Sequence, residues 1–313
     1  MIELEGLTKR YEARTVVDDV SMTIPSGSVC VMVGTSGSGK STVLRMINRL
    51  VTPTAGRVLI DGEDTSGVSE HELRRRIGYA IQGHGLFPHR TVAENIATVP
   101  GLLGWPKAKI AARVDELLDV FQLDPAEFAR KFPHQLSGGQ QQRVGVARAL
   151  AAEPNILLMD EPFGALDAII RGRAQADLLA IQRRFQTTIV LVTHDMEEAF
   201  HLGDRIAVLS EGRLLQYDRP EALLLRPANE FVARLTGAGD RAYRLLSLTT
   251  VGELVEPGPD PGDGAPLPAA TTLRDALAEL VWSGTEARPV VAEDGSPLGR
   301  VTLGAILARG RNA

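Results

Sequence analysis

The 313-residue chain is 44% hydrophobic and 23% charged, which is typical of a globular protein with one large or two modest domains and ample core. Its formal net charge of −5 argues against a nucleic-acid partner, because such partners favour a basic surface. The single cysteine, Cys30, excludes a disulfide within the chain and is expected in the core. The N-terminus does not resemble a signal peptide, and no apolar run approaches the ~18 residues needed to span a bilayer.

The first elements in chain order are predicted to be strands. Apolar and polar residues alternate over Ile2–Leu7 and Val20–Ile24, which is the period of half-buried strands. Tyr11 lies between them, and from the residues alone it is an exposed aromatic at a strand end. The run Val29–Val33 is apolar throughout and indicates a buried strand.

The segment after this buried strand reads GTSGSGKS. A GxxxxGKS spacing between a strand and a helix predicts a loop whose N–H groups wrap the β- and γ-phosphates of a nucleotide. Lys40 would add a charge, Ser41 would offer a hydroxyl to Mg²⁺, and the helix is expected over Thr42–Leu50. The candidate phosphate-binding residues are Gly34, Thr35, Ser36, Gly37, Ser38, Gly39, Lys40, Ser41 and Thr42.

A second helix start that attracts phosphate is expected at LSGGQ. Ser137 is a favoured helix cap, and Gln140 stands at the reciprocal position of a capping box. The glycines between them allow a phosphate or another backbone to come close to the exposed N–H groups. One nucleotide site needs only one phosphate-binding loop. A single nucleotide site therefore does not account for the second helix start at LSGGQ.

Two further apolar runs end in ionisable residues. Ile156–Met159 predicts a buried strand with Asp160 and Glu161 at its tip, where paired carboxylates are costly unless they serve a cation and a water. Ile189–Thr193 predicts another buried strand, which ends in His194. Taken alone, an isolated histidine is most often structural.

These motifs resemble those of ABC-type ATPases: GTSGSGKS and ILLMDEP look like the phosphate loop and acidic strand of that family, and LSGGQ looks like its signature. The resemblance covers roughly the first three quarters of the chain. It implies an α/β P-loop NTPase fold over residues 1–238, an ABC-type nucleotide-binding domain with a RecA-like core, an antiparallel β subdomain and a helical subdomain at about 88–150. The cofactors it implies are ATP and Mg²⁺.

The resemblance also implies a head-to-tail homodimer, because in this family the signature of one subunit covers the ATP held by the other. Asp167 lies in a segment that resembles the D-loop, which touches the partner's site. Tyr11 stands where the family carries an aromatic that stacks on adenine. The signature residues that would contact the partner's ATP are Ser137, Gly138, Gly139 and Gln140.

Catalytic and metal-binding roles follow from the same resemblance. Glu161 would be the general base that polarises the attacking water, and His194 would contact the γ-phosphate. Gln82 resembles the Q-loop glutamine that reaches the Mg²⁺ and the water. Mg²⁺ would be held by Ser41, Gln82 and Asp160, with Asp160 acting through water.

The composition changes after Asn229. Residues 239–270 are predicted to be a connector, and its Pro/Gly-rich part, Pro257–Pro268, has no core-forming content. Residues 271–313 are predicted to form a helix, a hairpin and a last helix, an order that resembles one CBS repeat and implies a small α+β domain. A ligand sensor and a stabilising tail without a ligand both remain open for it.

Within the ABC family, the chain most resembles the ATP-binding subunits of bacterial importers for osmoprotectants such as glycine betaine and choline. The segments IGYAIQGHGLFPHRTVAENIATVP, EPFGALD and THDMEEAF carry this resemblance. It implies two integral membrane permease subunits contacted through the Q-loop region, an extracytoplasmic solute-binding protein, and a peripheral place at the cytoplasmic face of the bacterial inner membrane.

Alternative functions remain open at this point. The chain could serve an importer of another small solute such as an amino acid, or it could be a non-transport ABC ATPase acting on DNA or ribosomes. ATPases of the latter class usually carry long coiled-coil insertions or two nucleotide domains, and the sequence shows neither. If the chain were a P-loop kinase, the LSGGQ segment would have no function.

Overall fold

A computed structural model describes residues 1–81, 85–164, 166–237, 240–258 and 264–311. The predicted Q-loop residue Gln82 lies outside the described residues. The chain forms two compact units, Met1–Tyr217 and Asp218–Ala313. The boundaries at 238 and 270 expected from the sequence remain a proposal about the family's domain architecture.

The elements of the first unit alternate between strands and helices. The strands are β1 (Ile2–Tyr11), β2 (Arg14–Ile24), β3 (Val29–Gly34), β4 (Ala55–Ile60), β5 (Glu63–Asp64), β6 (Ile77–Ala80), β7 (Ile156–Asp160), β8 (Thr188–Val192), β9 (Arg205–Ser210) and β10 (Arg213–Asp218). The helices are α1 (Lys40–Ile47), α2 (Glu70–Arg76), α3 (Val92–Ile96), α4 (Thr98–Leu102), α5 (Lys107–Val120), α6 (Pro125–Phe128), α7 (Gly138–Leu150), α8 (Ala168–Phe185) and α9 (Met196–Leu202).

One sheet of the first unit has the strand order β2-β1-β4-β5. Strand β1 pairs antiparallel with both neighbours, so that Ile2 lies opposite Ile24 on one side and Ile60 on the other. Ile2 and Leu4 are buried while Glu5 is exposed, as expected where one face of an antiparallel sheet meets a core. The two long strands extend well beyond the runs predicted from alternation alone.

The other sheet of the first unit has the order β10-β9-β3-β8-β7-β6. Strands β6, β7, β8, β3 and β9 run parallel, and every residue of β3, β7 and β8 is buried. This uninterrupted burial confirms the three buried strands predicted from their apolar runs. Because parallel strands end at the same edge, the residues that follow β3, β7 and β8 come together there.

The two sheets share one hydrophobic core. Ile2 and Ile24 from the antiparallel sheet cluster with Met32, Val190 and the predicted core residue Cys30, which is fully buried. Burial raises the pKa of the Cys30 thiol to about 12, so the group stays neutral and packs as a small apolar residue. No described helix is both long enough and apolar enough to cross a lipid bilayer.

The second unit combines helices with a small sheet. Its elements are α10 (Pro220–Leu225), α11 (Glu230–Leu235), α12 (Arg241–Leu248), β11 (Leu267–Pro268), α13 (Leu273–Ser283), β12 (Ala287–Val291), β13 (Pro297–Thr302) and α14 (Leu303–Arg311). The sheet order is β11-β12-β13, with β12 and β13 antiparallel. The predicted helix, hairpin and final helix of this region are confirmed as elements, and their likeness to a CBS repeat remains a prediction.

The Pro/Gly-rich segment differs from its prediction at its end. Leu267 is buried in the core of the second unit and pairs with Val290 as part of a parallel strand. The prediction that Pro257–Pro268 lacks core-forming content is therefore wrong at this residue. Composition averaged over the segment hid a single apolar side chain that a neighbouring strand could receive.

Candidate functional site

The phosphate loop joins the end of β3 to the start of α1. Gly39 precedes the helix with a φ of +97°, in the left-handed region that favours glycine. The ammonium of Lys40 folds against the loop, where Nζ donates to the carbonyl oxygens of Gly34 at 2.9 Å and Thr35 at 2.8 Å. Burial lowers the pKa of Lys40, and the carboxylates of Glu161 and Asp160 oppose that shift. The loop thus holds one ammonium in place among its own carbonyls.

Gly34 is required by the packing of the sheet as well as by the loop. A Cβ on Gly34 would lie 1.9 Å from the carbonyl oxygen of Leu209 in β9. Its φ of +146° is also one that other residues rarely adopt. The first glycine of GTSGSGKS therefore lets the phosphate loop leave β3 directly against its neighbour.

The loop forms one wall of a cavity of about 340 Å³. The opposite side comes from residues after β7 and β8, so the cavity lies at the shared edge of the parallel strands. It is lined by Val16, Ser36, Gly37, Ser38, Gly39, Lys40, Ser41, Thr42, Glu161 and His194. The structure therefore brings most of the predicted phosphate-loop residues together with Glu161 and His194 in one cavity.

The end of β7 meets the start of α1 through a direct hydrogen bond. The Ser41 hydroxyl Oγ donates to Asp160 Oδ1 at 2.8 Å. The other carboxylate oxygen, Oδ2, lies 3.8 Å from Arg45 Nη2, and the side chain of Asp160 is only 4% exposed. Sequence reasoning missed Arg45; its place four residues after Ser41 on the same helix was the available signal.

Glu161 and His194 face the cavity from neighbouring strand ends. Glu161 leaves β7 with a φ of +48°, and its N–H donates to the Val192 carbonyl oxygen at 2.9 Å. Its Oε1 lies 3.4 Å from His194 Nδ1. A left-handed residue at this point turns the carboxylate out of the buried strand and into the cavity.

The signature segment has the predicted capping box. Ser137 Oγ accepts from the Gln140 N–H at 3.3 Å, and Gln140 Oε1 accepts from the Ser137 N–H at 2.9 Å. A Cβ on Gly139 would lie 3.1 Å from Ile170, whereas a Cβ on Gly138 would meet no described atom within 4 Å. None of these four signature residues lines the cavity of its own phosphate loop.

Two further candidate residues lie outside that cavity. Asp167 caps α8, since its Oδ1 accepts from the N–H groups of Ile169 and Ile170. Tyr11 is 48% exposed at the end of β1, with Lys9 Nζ 4.8 Å from its ring centroid, and it lines neither the 340 Å³ cavity nor its neighbour. Neither residue lines a cavity formed by the phosphate loop of its own chain.

A neighbouring cavity of about 300 Å³ extends the site in a direction that the sequence did not indicate. It shares Val16 and Ser36–Ser38 with the first cavity and adds residues from the start of β2, from the phosphate loop and from the turn between β9 and β10. The Asp18 N–H donates to the Gly212 carbonyl oxygen at 2.9 Å, which ties these two segments together. The added lining residues are Arg14, Thr15, Thr35, Glu211 and Gly212.

A buried strand ending in a phosphate loop, with carboxylates and a histidine at the ends of the adjacent parallel strands, defines a P-loop ATPase. The model of the ABC transporter family matches residues 17–164. The chain is 48% identical to the glycine betaine uptake system ATP-binding protein YehX of Escherichia coli, with 96% of each chain covered. The chain therefore belongs to the ATP-binding subunits of ABC transporters.

Further comparisons agree with this assignment. The chain is 45% identical to the osmoprotectant import ATP-binding protein OsmV of Salmonella typhimurium, covering 96% of this chain and 79% of that protein. The solved dimer of the ATP-binding cassette MJ0796, in a post-hydrolysis state bound to ADP and Pi, has a TM-score of 0.64 and 35% identity. It covers 70% of this chain and 98% of that one.

Proposed function

We propose that this chain is the ATP-hydrolysing subunit of an importer that takes up an osmoprotectant such as glycine betaine, choline or another quaternary amine. The observation that carries the proposal is the 48% identity with a glycine betaine uptake subunit over 96% of both chains, which includes the second unit as well as the ATPase. An ABC importer of another solute would share the phosphate loop and the signature, so the whole-chain similarity is what favours osmoprotectants.

The phosphate loop is the proposed cradle of the triphosphate. Its N–H groups and Lys40 would bind the β- and γ-phosphates, with Gly34, Thr35, Ser36, Gly37, Ser38, Gly39, Ser41 and Thr42 forming the wall. Gly37 supports this role, because it has a φ of +77° and an added Cβ would meet no described atom within 4 Å, so its backbone faces open space. Tyr11 is proposed to stack on the adenine, with its exposed ring available for that contact.

Ser41, which lines the cavity, and Asp160, which accepts a hydrogen bond from it, fit a magnesium ion. A hydroxyl and a buried carboxylate 2.8 Å apart are hard oxygen ligands of the kind that Mg²⁺ prefers. The described residues contain no cluster of three or more His, Cys, Asp or Glu side chains that could hold a metal, which suits an ion bound by few protein groups together with phosphates. Ser41 would bind it directly, Asp160 through water, and Gln82 would complete the set. The ion would neutralise charge that develops on the phosphates.

Glu161 is proposed as the general base and His194 as the group that steadies the γ-phosphate. The Glu161 carboxylate is 30% exposed and faces the cavity, so a water can reach it. It would accept the proton of the attacking water while the imidazole of His194, 3.4 Å away, remains on the phosphate side. Both groups would act mainly by position and charge, as phosphoryl transfer requires.

The site is proposed to be completed by a second copy of the chain. The capped start of α7 presents Ser137, Gly138, Gly139 and Gln140 away from the cavity of its own loop, as expected for groups that close over the partner's ATP. Asp167 would lie at the same interface. Two membrane permease subunits, an extracytoplasmic binding protein and a place at the cytoplasmic face of the inner membrane complete the proposed importer.

Uptake of radiolabelled glycine betaine, choline and proline tests the proposed solute class. We compare cells that lack the chain with cells in which the wild type or Glu161→Gln is restored, at low and high osmolarity. Uptake of at least one of these solutes should rise severalfold with the wild type only. If none is stimulated, the osmoprotectant assignment is wrong while the ATPase assignment stands.

A further inference from the structure

Arg171 joins two segments that the proposed function assigns to different tasks. It lies in the first turn of α8, directly after the D-loop residue Asp167. Its Nη2 donates to the carbonyl oxygen of Leu166 at 3.0 Å, and its Nη1 donates to Asp195 Oδ2 at 3.3 Å. One guanidinium thus connects the D-loop with the segment that carries His194.

The two carboxylate oxygens of Asp195 accept hydrogen bonds from different segments. Oδ1 caps α9 by accepting from the N–H groups of Glu197 at 2.8 Å and Glu198 at 3.3 Å. Oδ2 receives Arg171. Since Asp195 directly follows His194 in the chain, its position fixes the backbone that presents the imidazole to the cavity.

Stability does not account for this arrangement. The side chains of Arg171 and Asp195 are 33% and 34% exposed, and ion pairs of that exposure contribute little to folding. A cation in the first turn of a helix is also opposed by the helix dipole. A fork of two donors, however, can hold two backbone segments in one geometry in a way that a point charge cannot.

We propose that Arg171 is a positioning residue through which docking of the partner subunit on the D-loop sets the place of His194 beside the γ-phosphate. The inference rests on the proposed function for the partner's contact and for the role of His194. When the D-loop shifts on docking, Leu166 moves Arg171, Arg171 moves Asp195, and His194 follows. Hydrolysis would thereby depend on closure of the dimer as well as on bound ATP.

The test compares Arg171→Ala in two backgrounds, the wild type and His194→Ala. Hydrolysis of radiolabelled ATP by the full chain with Mg²⁺ is followed under single-turnover conditions. This assay resolves the low rates expected in the His194→Ala background. Asp195→Asn keeps a capping oxygen for α9 but removes the carboxylate from Arg171, so it carries the same test should Arg171→Ala fail to fold. Arg183→Ala, at an exposed position in the last turn of the same helix, is the matched control.

We expect Arg171→Ala and Asp195→Asn each to lower the single-turnover hydrolysis rate about tenfold, with the Kd for ATP changed less than about twofold, because a displaced group lowers the rate rather than the binding of ATP. In the His194→Ala background either change should alter the residual rate less than about twofold. Equal reductions in both backgrounds, or a wild-type rate in both variants, overturn the inference. A wild-type chain that does not hydrolyse ATP would instead overturn the proposed function.

Discussion

Asp160 and Glu161 are neighbours in the chain, but their carboxylates have different surroundings. The Asp160 side chain is 4% exposed and already holds the Ser41 hydroxyl, whereas the Glu161 side chain is 30% exposed and faces the cavity. The φ of +48° at Glu161 separates them by turning the chain out of the strand. A buried oxygen pair suits a cation and a solvent-facing carboxylate suits a general base.

Replacing the proposed base tests this division. Glu161→Gln keeps the shape of the side chain but cannot accept a proton, so ATP hydrolysis should fall by roughly two orders of magnitude or more while ATP binding is retained. Phosphate release and nucleotide binding measure the two effects. Glu153→Gln is the matched control, because Glu153 also has a positive φ, of +55°, but lies after α7 on the surface. Hydrolysis by Glu161→Gln at the wild-type rate would show that another group is the base.

Glu198 is a buried carboxyl one turn after His194 that the proposed chemistry does not use. Its Oε2 accepts from Thr193 Oγ1 at 2.9 Å. Burial raises the pKa of Glu198 to about 7, although the hydrogen bond from Thr193 opposes the shift. The folded chain therefore favours the protonated form of this carboxyl up to neutral pH.

The free energy of unfolding should fall as the pH rises through this range. The stabilising effect of protonated Glu198 is complete below the ordinary carboxyl pKa of 4.5 and is lost as the pH passes about 7. The shift corresponds to about 3 kcal/mol. Glu198→Gln keeps an acceptor for Thr193 and cannot ionise, so urea unfolding should depend less on pH between 5 and 8. The exposed neighbour in Glu197→Gln is the control, and equal pH slopes in wild type and Glu198→Gln would contradict the assignment.

At the scale of elements, α7 depends on a cap that the proposed dimer also uses. Ser137 closes the N-terminus of the helix through the capping box, while its hydroxyl and the following glycines are proposed to meet the partner's γ-phosphate. The two tasks can be separated, because serine and aspartate cap helices about equally well but differ in charge.

We expect the Ser137→Asp variant to keep the wild-type free energy of unfolding and to lose ATP-dependent dimerisation. The new carboxylate keeps the cap, so the free energy of unfolding should change by less than about 0.5 kcal/mol. In the proposed dimer it would face phosphate, and ATP-dependent dimerisation of a Glu161→Gln background should disappear in size-exclusion chromatography. Asn229→Asp adds the same charge at the cap of α11, where Asn229 Oδ1 accepts from the Val232 N–H at 3.0 Å, and should dimerise normally. If Ser137→Asp forms as much ATP-dependent dimer as this control, the signature does not contact the partner's ATP.

At the scale of the whole molecule, the proposed reaction centre needs two chains. The phosphate loop, the acidic strand end and the histidine lie in one cavity, whereas the capped signature helix does not line it. A two-fold dimer would supply the missing wall twice, by the same pair of surfaces. The solved cassette that resembles this chain is itself a dimer bound to ADP and Pi.

Mixing two inactive variants tests the shared site. Glu161→Gln lacks the proposed base and Ser137→Asp lacks the proposed signature contact, but a mixed dimer would contain one site with both parts intact. An equimolar mixture should recover ATPase activity, because a mixed dimer has one complete site and keeps one of the two signature contacts. The recovered rate should be at most about a quarter of the wild-type rate, which is the value when the chains pair at random and half of the dimers are mixed. Glu161→Gln combined with a Ser137→Asp, Glu161→Gln double variant is the control and should stay inactive. No recovery in the first mixture would mean that each chain works alone.

Much of the candidate site could be predicted because its motifs are local. GTSGSGKS and the capping box act through neighbours a few residues apart, so spacing identifies them. Arg45, which contacts Asp160, left only its place four residues after Ser41 as a signal. The contact of Arg171 with Asp195 joins distant segments and leaves no spacing to recognise. The buried Leu267 was missed for the same reason, since its partner Val290 lies beyond a helix.

The sequence by itself determined which chemical groups this protein has and which elements they follow. It showed three apolar runs that must be buried strands, with acidic residues and the residues proposed to bind phosphate at their ends. Those features depend on the local chain and on hydrophobic burial. Only the tertiary structure decided that β3, β7 and β8 are adjacent, that Glu161 turns out of its strand, and that the signature lies outside its own cavity. These features depend on pairing between strands far apart in the chain, which no local pattern specifies.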